Sequence, residues 1–344
     1  MFGIPRRHMV ETMSQGPEKD TASDNSSHVS AVGGTTIAKP PQSDRKPSGT
    51  RSNTLRRWIP NQPGAWAMAL MPPLAGTFMG GVSWRNLLLL LAWVLCYCTE
   101  FTTARWLTSR MSKRFLPPVA AYAAVTAVFG LALLVTIPGL LRWVPLYMVL
   151  AALTFLAAWR RVERSWWNNL VSIIAACTLC LIAYSLGSGP QSQETHSPGG
   201  YFGCPPNPAV NCFSEGLFPA QAFPPVGLVA TLIFAYTEFG SVLYVKSLVR
   251  ERKHLWCTVA SVVWNLMLTI GAALVLPEVG FWPLFAALIL VIRAAALPAI
   301  ARKRRIPIKQ VGMVESIASL VVFLVTIGTA GPITAALQGV GLFS

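Results

Sequence analysis

The chain has 344 residues, of which 53% are hydrophobic and only 12% charged, far too apolar for a water-soluble domain of that length. Its formal charge of +15 would suit a nucleic-acid binder, but the cations collect in short clusters between apolar runs and form no basic stripe. Nucleic acid is thereby excluded as a partner, and membrane lipid is the expected solvent.

Taken in chain order, residues 1–57 are rich in Ser, Thr, Gly, Pro and mixed charge. They hold too little apolar surface to offset the entropy of ordering, so a disordered cytoplasmic tail is expected. They also lack the apolar core of a signal peptide. Arg51, Arg56 and Arg57 close the tail as an anchor at an anionic leaflet, with Trp58 at the interface.

Residues 58–344 read as a transmembrane helical domain. A spanning helix needs roughly 20 mostly apolar residues, and nine such runs occur, at 65–82, 86–106, 117–139, 143–159, 168–187, 225–245, 256–276, 280–299 and 312–331. Only Gly139 to Arg142 divide the third from the fourth, so a count of eight or ten also fits. The first run contains Pro72-Pro73 and is punctuated by Gly64, Gly76, Gly80 and Gly81. A kink or break is expected there, and the carbonyls that proline frees need partners. Between the fifth and sixth runs, the segment 188–224 has seven prolines, no Lys or Arg, and Cys204 and Cys212.

With the N-terminus inside and the C-terminus outside, the basic clusters of the tail, Arg105 to Arg114, Arg160 to Arg164, Lys246 to Lys253 and Arg293 to Lys309 all face the cytoplasm. Of the 28 Lys and Arg, only Arg85 and Arg142 are then left outside, as the positive-inside rule requires. That orientation places residues 188–224 outside, where a Cys204–Cys212 disulfide is chemically reasonable. Cys177 and Cys180 have C-x-x-C spacing, but within an apolar helix they read as small core residues.

Of the 13 acidic residues, only Glu100, Glu238 and Glu315 fall inside expected spans, where a carboxylate is costly enough to suggest function. Glu100 and Glu238 share a Thr-Glu-Phe context, Thr99-Glu100-Phe101 and Thr237-Glu238-Phe239, each toward the end of a span that runs into a basic loop. The two spans are four helices apart, as in a duplicated four-helix unit. Arg105 and Lys246 are near enough in sequence to pair with these carboxylates or hold a phosphate, and Arg250 follows Lys246 on the same helical face. No zinc spacing, P-loop or dinucleotide fingerprint occurs, and none of the four histidines lies in a span.

Two stretches, Trp58-Ile59-Pro60-Asn61-Gln62-Pro63-Gly64-Ala65-Trp66-Ala67-Met68 and Phe239-Gly240-Ser241-Val242-Leu243-Tyr244-Val245-Lys246 with Arg250-Glu251-Arg252, resemble the YwiC-like family of bacterial membrane proteins. The run from Pro307 to Glu315 fits the same family, so the likeness covers most of the chain after residue 58. The family's first motif usually reads Pro-x-Gln-His-Gly-Ala-Trp, and here Pro63 stands in the histidine place.

More distantly, the nine runs, the Pro- and Gly-rich first run and the acidic sites on runs two and six resemble the UbiA superfamily of intramembrane prenyltransferases. That resemblance implies Mg²⁺ held against an isoprenyl diphosphate by acidic motifs, each reduced here to one glutamate, Glu100 or Glu238. The fold class expected is therefore all-α, a polytopic transmembrane bundle of about nine spans with UbiA-like character, in a bacterial plasma membrane.

Three functions fit. One is a UbiA-like isoprenoid- or lipid-binding protein or degenerate prenyltransferase, with Glu100 and Glu238 on a metal or substrate and Arg105, Lys246 and Arg250 on a phosphate or acidic head group. Another is a small-solute or proton-coupled transporter using the same glutamates at the midplane. The third is a non-catalytic assembly partner that acts through the loop 188–224. Depth discriminates the first two: a transport site lies near the bilayer centre, whereas Glu100 and Glu238 fall toward the cytoplasmic ends of their runs, which favours the first.

Overall fold

A chain surrounded by lipid must satisfy its own backbone hydrogen bonds. Among the described residues, all regular structure is helical. The computed structural model describes residues 58, 63–187, 223–249, 255–303 and 306–339. The long helices are α1 (Pro63–Gly80), α2 (Trp84–Thr108), α3 (Leu116–Thr136), α4 (Val144–Trp159) and α5 (Trp166–Ser185), then α6 (Pro225–Val249), α7 (Leu255–Leu274), α8 (Trp282–Lys303) and α9 (Ile308–Gly328), followed by α10 (Ala330–Gly339). Each of the apolar runs corresponds to one of α1 to α9. Seven of these helices, all but α1 and α4, are long and apolar enough to cross a membrane, and α4 is a shorter apolar helix.

Local chemistry sets several of the boundaries. Ser83 and Ser165 cap α2 and α5 by accepting from the backbone N–H of Asn86 and Asn168. Proline stands in the first turn of α3 and of α4, where its missing N–H costs nothing. The 3₁₀ turn Pro138–Arg142 separates α3 from α4, so these runs are two helices and not one. Arg142, one of the two cations the charge tally leaves on the outer side, is fully buried in that turn. Helix α10 has no counterpart among the expected runs, because its ten residues are too few for a span.

The Pro72-Pro73 pair does not break α1, which continues through both prolines. Pro73 cannot donate to the carbonyl of Ala69, and the indole N–H of Trp93 on α2 fills that place at 2.8 Å. The carbonyl of Pro73 itself accepts from the Thr77 hydroxyl at 2.9 Å. The glycines of α1 serve close approach: a Cβ on Gly76 or Gly80 would collide with the backbone of α5 at Cys180 or Tyr184. Their G-x-x-x-G spacing puts both on one helical face, the arrangement that lets two helices pack backbone to backbone in lipid.

Helix α1 therefore lies against α5, and it also packs against α9; α5 and α6 are neighbours in turn. These helices form the centre. Some 56% of the apolar window of α5 is buried, against 6% for α3, so α3 is peripheral and turns side chains such as Val128, Leu131 and Val135 outward. Helices α2, α3 and α4 flank the centre through a cluster around Leu133, Leu140 and Trp143, and α7 packs on α6 and α8. At the α6–α7 contact, Tyr236 and Trp264 stack at 4.3 Å, and each donates to the other's carbonyl. The expected cytoplasmic tail, residues 1–57, and the loop with Cys204 and Cys212 lie outside the described residues.

Candidate functional site

The face of α6 turned toward α8 and α9 carries polar groups at helical spacing: Thr237, Glu238, Ser241 and Tyr244. Glu238 is buried, only 4% exposed. Its Oε2 faces the Cys177 thiol of α5 at 3.8 Å, whereas its Oε1 has no hydrogen-bond partner. One turn on, the Ser241 hydroxyl accepts from Arg293 Nη2 of α8 at 3.2 Å, and Arg293 Nη1 forms an ion pair with Glu315 Oε1 of α9 at 2.9 Å. The guanidinium also stacks over the Tyr244 ring at 4.5 Å. Two carboxylates and one guanidinium are thus enclosed where four helices meet. Taking charges out of water costs several kcal/mol per ion unless each is paired, and Glu238 has no cationic partner among the described residues.

Beside Glu238 is a small cavity with polar lining from Thr237, Glu238, Ser241 and Ser319 and apolar walls that include Phe234 and Leu290. It has room for about one water molecule. Glu238 is the fourteenth of the 25 residues of α6, and Arg293 the twelfth of the 22 of α8. At 1.5 Å rise per residue, Glu238 lies about 20 Å from one end of its helix and about 17 Å from the other. Along the helix Glu238 is therefore near the middle, because α6 runs on to Val249, past the end of the hydropathic run at residue 245.

Glu100 differs. It is the seventeenth of the 25 residues of α2, whose main neighbours are α3 and α4. It does not line the cavity at Glu238, and it forms no ion pair among the described residues. The flanking Thr99 bonds back to the Leu95 carbonyl and across to the Thr126 hydroxyl. Arg105 packs over the rings of Phe101 and Phe115, at 5.3 and 5.8 Å. Lys246 is buried with its Nζ over the Trp166 ring at 3.4 Å, two helical turns, about 12 Å, beyond Glu238. Among the described residues, Arg105 forms no ion pair with Glu100 and Lys246 none with Glu238. Arg250 lies outside the described residues.

The Mg²⁺ implied by the UbiA resemblance needs several hard oxygen ligands at one point. Among the described residues, no group of three or more His, Cys, Asp or Glu could hold a metal ion. With Glu100 and Glu238 on separate neighbourhoods and a water-sized cavity at Glu238, these residues do not fit a metal-bound diphosphate.

Arg293 is the functional candidate that sequence reasoning missed. Its closeness to Arg302 and Lys303 drew it into the tally of cytoplasmic cations, yet it lies mid-helix and buried. The apolar stretch on both sides of it was the available signal, since the rule that singled out the glutamates applies equally to arginine. Cys177 reads from its C-x-x-C spacing only as a small core residue, and Ser241 only as part of the Phe239–Lys246 stretch; neither reading places them beside the buried charges.

Comparison with known proteins adds relatives but no chemistry. Residues 59–184 match the family model described as YwiC-like protein. The chain is 27% identical to a Haemophilus influenzae protein described as uncharacterized, over 272 residues that cover 77% of this chain and 95% of the relative. It is 26% identical to the Bacillus subtilis "Uncharacterized protein YwiC", covering 58% of this chain and 70% of that one. The YwiC likeness read from Trp58 to Met68 therefore stands, and the longer alignment necessarily extends past residue 184. No solved structure matches the chain significantly.

Proposed function

We propose that this YwiC-like membrane protein is an ion-coupled transporter of a small solute, with Glu238 as the carboxylate that takes and releases the coupling ion. The observation that carries this reading is the Glu238 Oε1, buried without a partner at the midpoint of a helix long enough to span the bilayer. Intramembrane ionisable groups in bundle interiors mark ion pathways, and coupling sites of secondary transporters lie near the midplane. The Arg293–Glu315 pair, joined to α6 through Ser241, links the helices that would move against one another as Glu238 changes its charge. In this reading the N-terminus is cytoplasmic, the C-terminus is outside, the protein resides in a bacterial plasma membrane, and its surroundings are lipid. In the same reading the tail 1–57 precedes the transport domain, and the extracytoplasmic loop 188–224 connects its fifth and sixth spans.

An isoprenoid or lipid-phosphate ligand would need both glutamates at one larger cavity. The space beside Glu238 holds about one water molecule.

The test is flux. Purified protein in liposomes, with a pH or Na⁺ gradient imposed and a broad panel of small solutes supplied, is expected to dissipate at least one gradient faster than protein-free vesicles. Glu238→Gln is expected to lower that rate about tenfold, equivalent to about 1.4 kcal/mol. Vesicles with and without protein that behave alike under both gradients would overturn the proposal.

A further inference from the structure

We propose that the cavity bounded by Thr237, Glu238, Ser241 and Ser319 is a binding site for one dehydrated alkali cation, of the Na⁺ class. The residue chemistry is that of a hard-cation site: four of the eight lining residues carry side-chain oxygens, around a space of about one water molecule. The Glu238 carboxylate offers Oε1, which has no other partner. The Thr237 hydroxyl spends its proton on the backbone carbonyls of Ile233 and Phe234, at 2.9 and 3.1 Å, which leaves its oxygen lone pairs as acceptors. Ser241 accepts one bond from Arg293 and keeps a second lone pair.

Charge counting points to the same class. With Glu238 and Glu315 ionised and Arg293 charged, the buried group carries one net negative charge. A single monovalent cation restores neutrality where uncompensated charge is most costly. A divalent ion would overshoot by one charge. Mg²⁺ would also have to keep several waters of its own, for which the cavity has no room.

The site takes its purpose from the transport reading and rests on it for that, but binding is measurable without flux. Full-length protein in detergent would be titrated with NaCl, KCl, LiCl or MgCl₂ against choline chloride at constant ionic strength, with thermal unfolding as the readout. An ion that binds only the folded state raises the midpoint in a saturable way. At least one alkali chloride is expected to do so, and MgCl₂ is not. Glu238→Gln is expected to abolish the response, and Ser319→Ala, at a half-buried position, to weaken apparent affinity about tenfold.

Alkali and choline curves that superimpose, a response to pH alone, or a full alkali response in Glu238→Gln or Ser319→Ala would each overturn the site. Ion binding without gradient dissipation would leave the site standing and remove the transport reading. Dissipation of a pH gradient without alkali binding would do the reverse.

Discussion

The two Thr-Glu-Phe segments are nearly the same sequence in two different environments. Around Glu238, the helix faces α5, α8 and α9; the carboxylate meets the Cys177 thiol, and one turn on Ser241, Arg293 and Glu315 form a separate bonded group. Around Glu100, the helix sits on the flank beside a largely exposed α3, and the neighbouring polar groups close on themselves through Thr99 and Thr126. The difference teaches that an intramembrane glutamate takes its role from the helices facing it. A short shared motif gives both copies the same local backbone and says nothing about those neighbours.

That contrast can be broken most strongly at Arg293. Replacing it with alanine leaves Glu315 buried without the cation it pairs with, and the expected loss is about 3–5 kcal/mol. Glu100→Gln, which breaks no ion pair, is expected to change stability by less than about 0.5 kcal/mol. Reversible unfolding in mixed detergent measures both, and similar losses would erase the distinction between the two segments.

A smaller effect is expected at the α1–α5 contact. Gly76→Val drives a side chain into the backbone at Cys180, one turn from Cys177, at a cost of about 1–3 kcal/mol. The same change at Gly130 on α3, where a Cβ meets nothing, is expected to cost less than about 0.5 kcal/mol. Thermal midpoints of the pair decide whether the centre of the bundle is as tightly packed as its glycines indicate.

The smallest effect tests a single hydrogen bond. Trp93→Phe removes the donor to the Ala69 carbonyl that Pro73 leaves without its helical partner, with an expected loss of about 1 kcal/mol. A double variant that also carries Pro73→Ala is expected to recover part of that loss, because alanine restores the N–H. Additive losses in the two variants would show that the indole bond does not compensate for the proline.

Much of this architecture was legible before any coordinates. Lipid imposes about 20 apolar residues per crossing, so α1 to α9 appear in the sequence as runs, with boundaries set by capping serines and first-turn prolines. The need for a partner at the carbonyls freed by Pro72-Pro73 was also legible, though its identity as Trp93 was not. The candidate site was legible only in part. Glu238 and Glu315 were visible as buried charges, but the pairing of Arg293 with Glu315 spans 22 positions and two helices. Periodicity places residues on a face without naming the face opposite.

The opposing face also separated Glu100 from Glu238, although their sequences gave them the same standing. By itself, then, the sequence determined the helices, their length and the polar residues that a membrane makes expensive. Tertiary structure alone decided which of those residues meet. Apolar helices in lipid have no strong hydrophobic preference among partners, so close packing at Gly76 and Gly80 and interhelical polar contacts select the neighbours. Those contacts join residues that lie far apart along the chain.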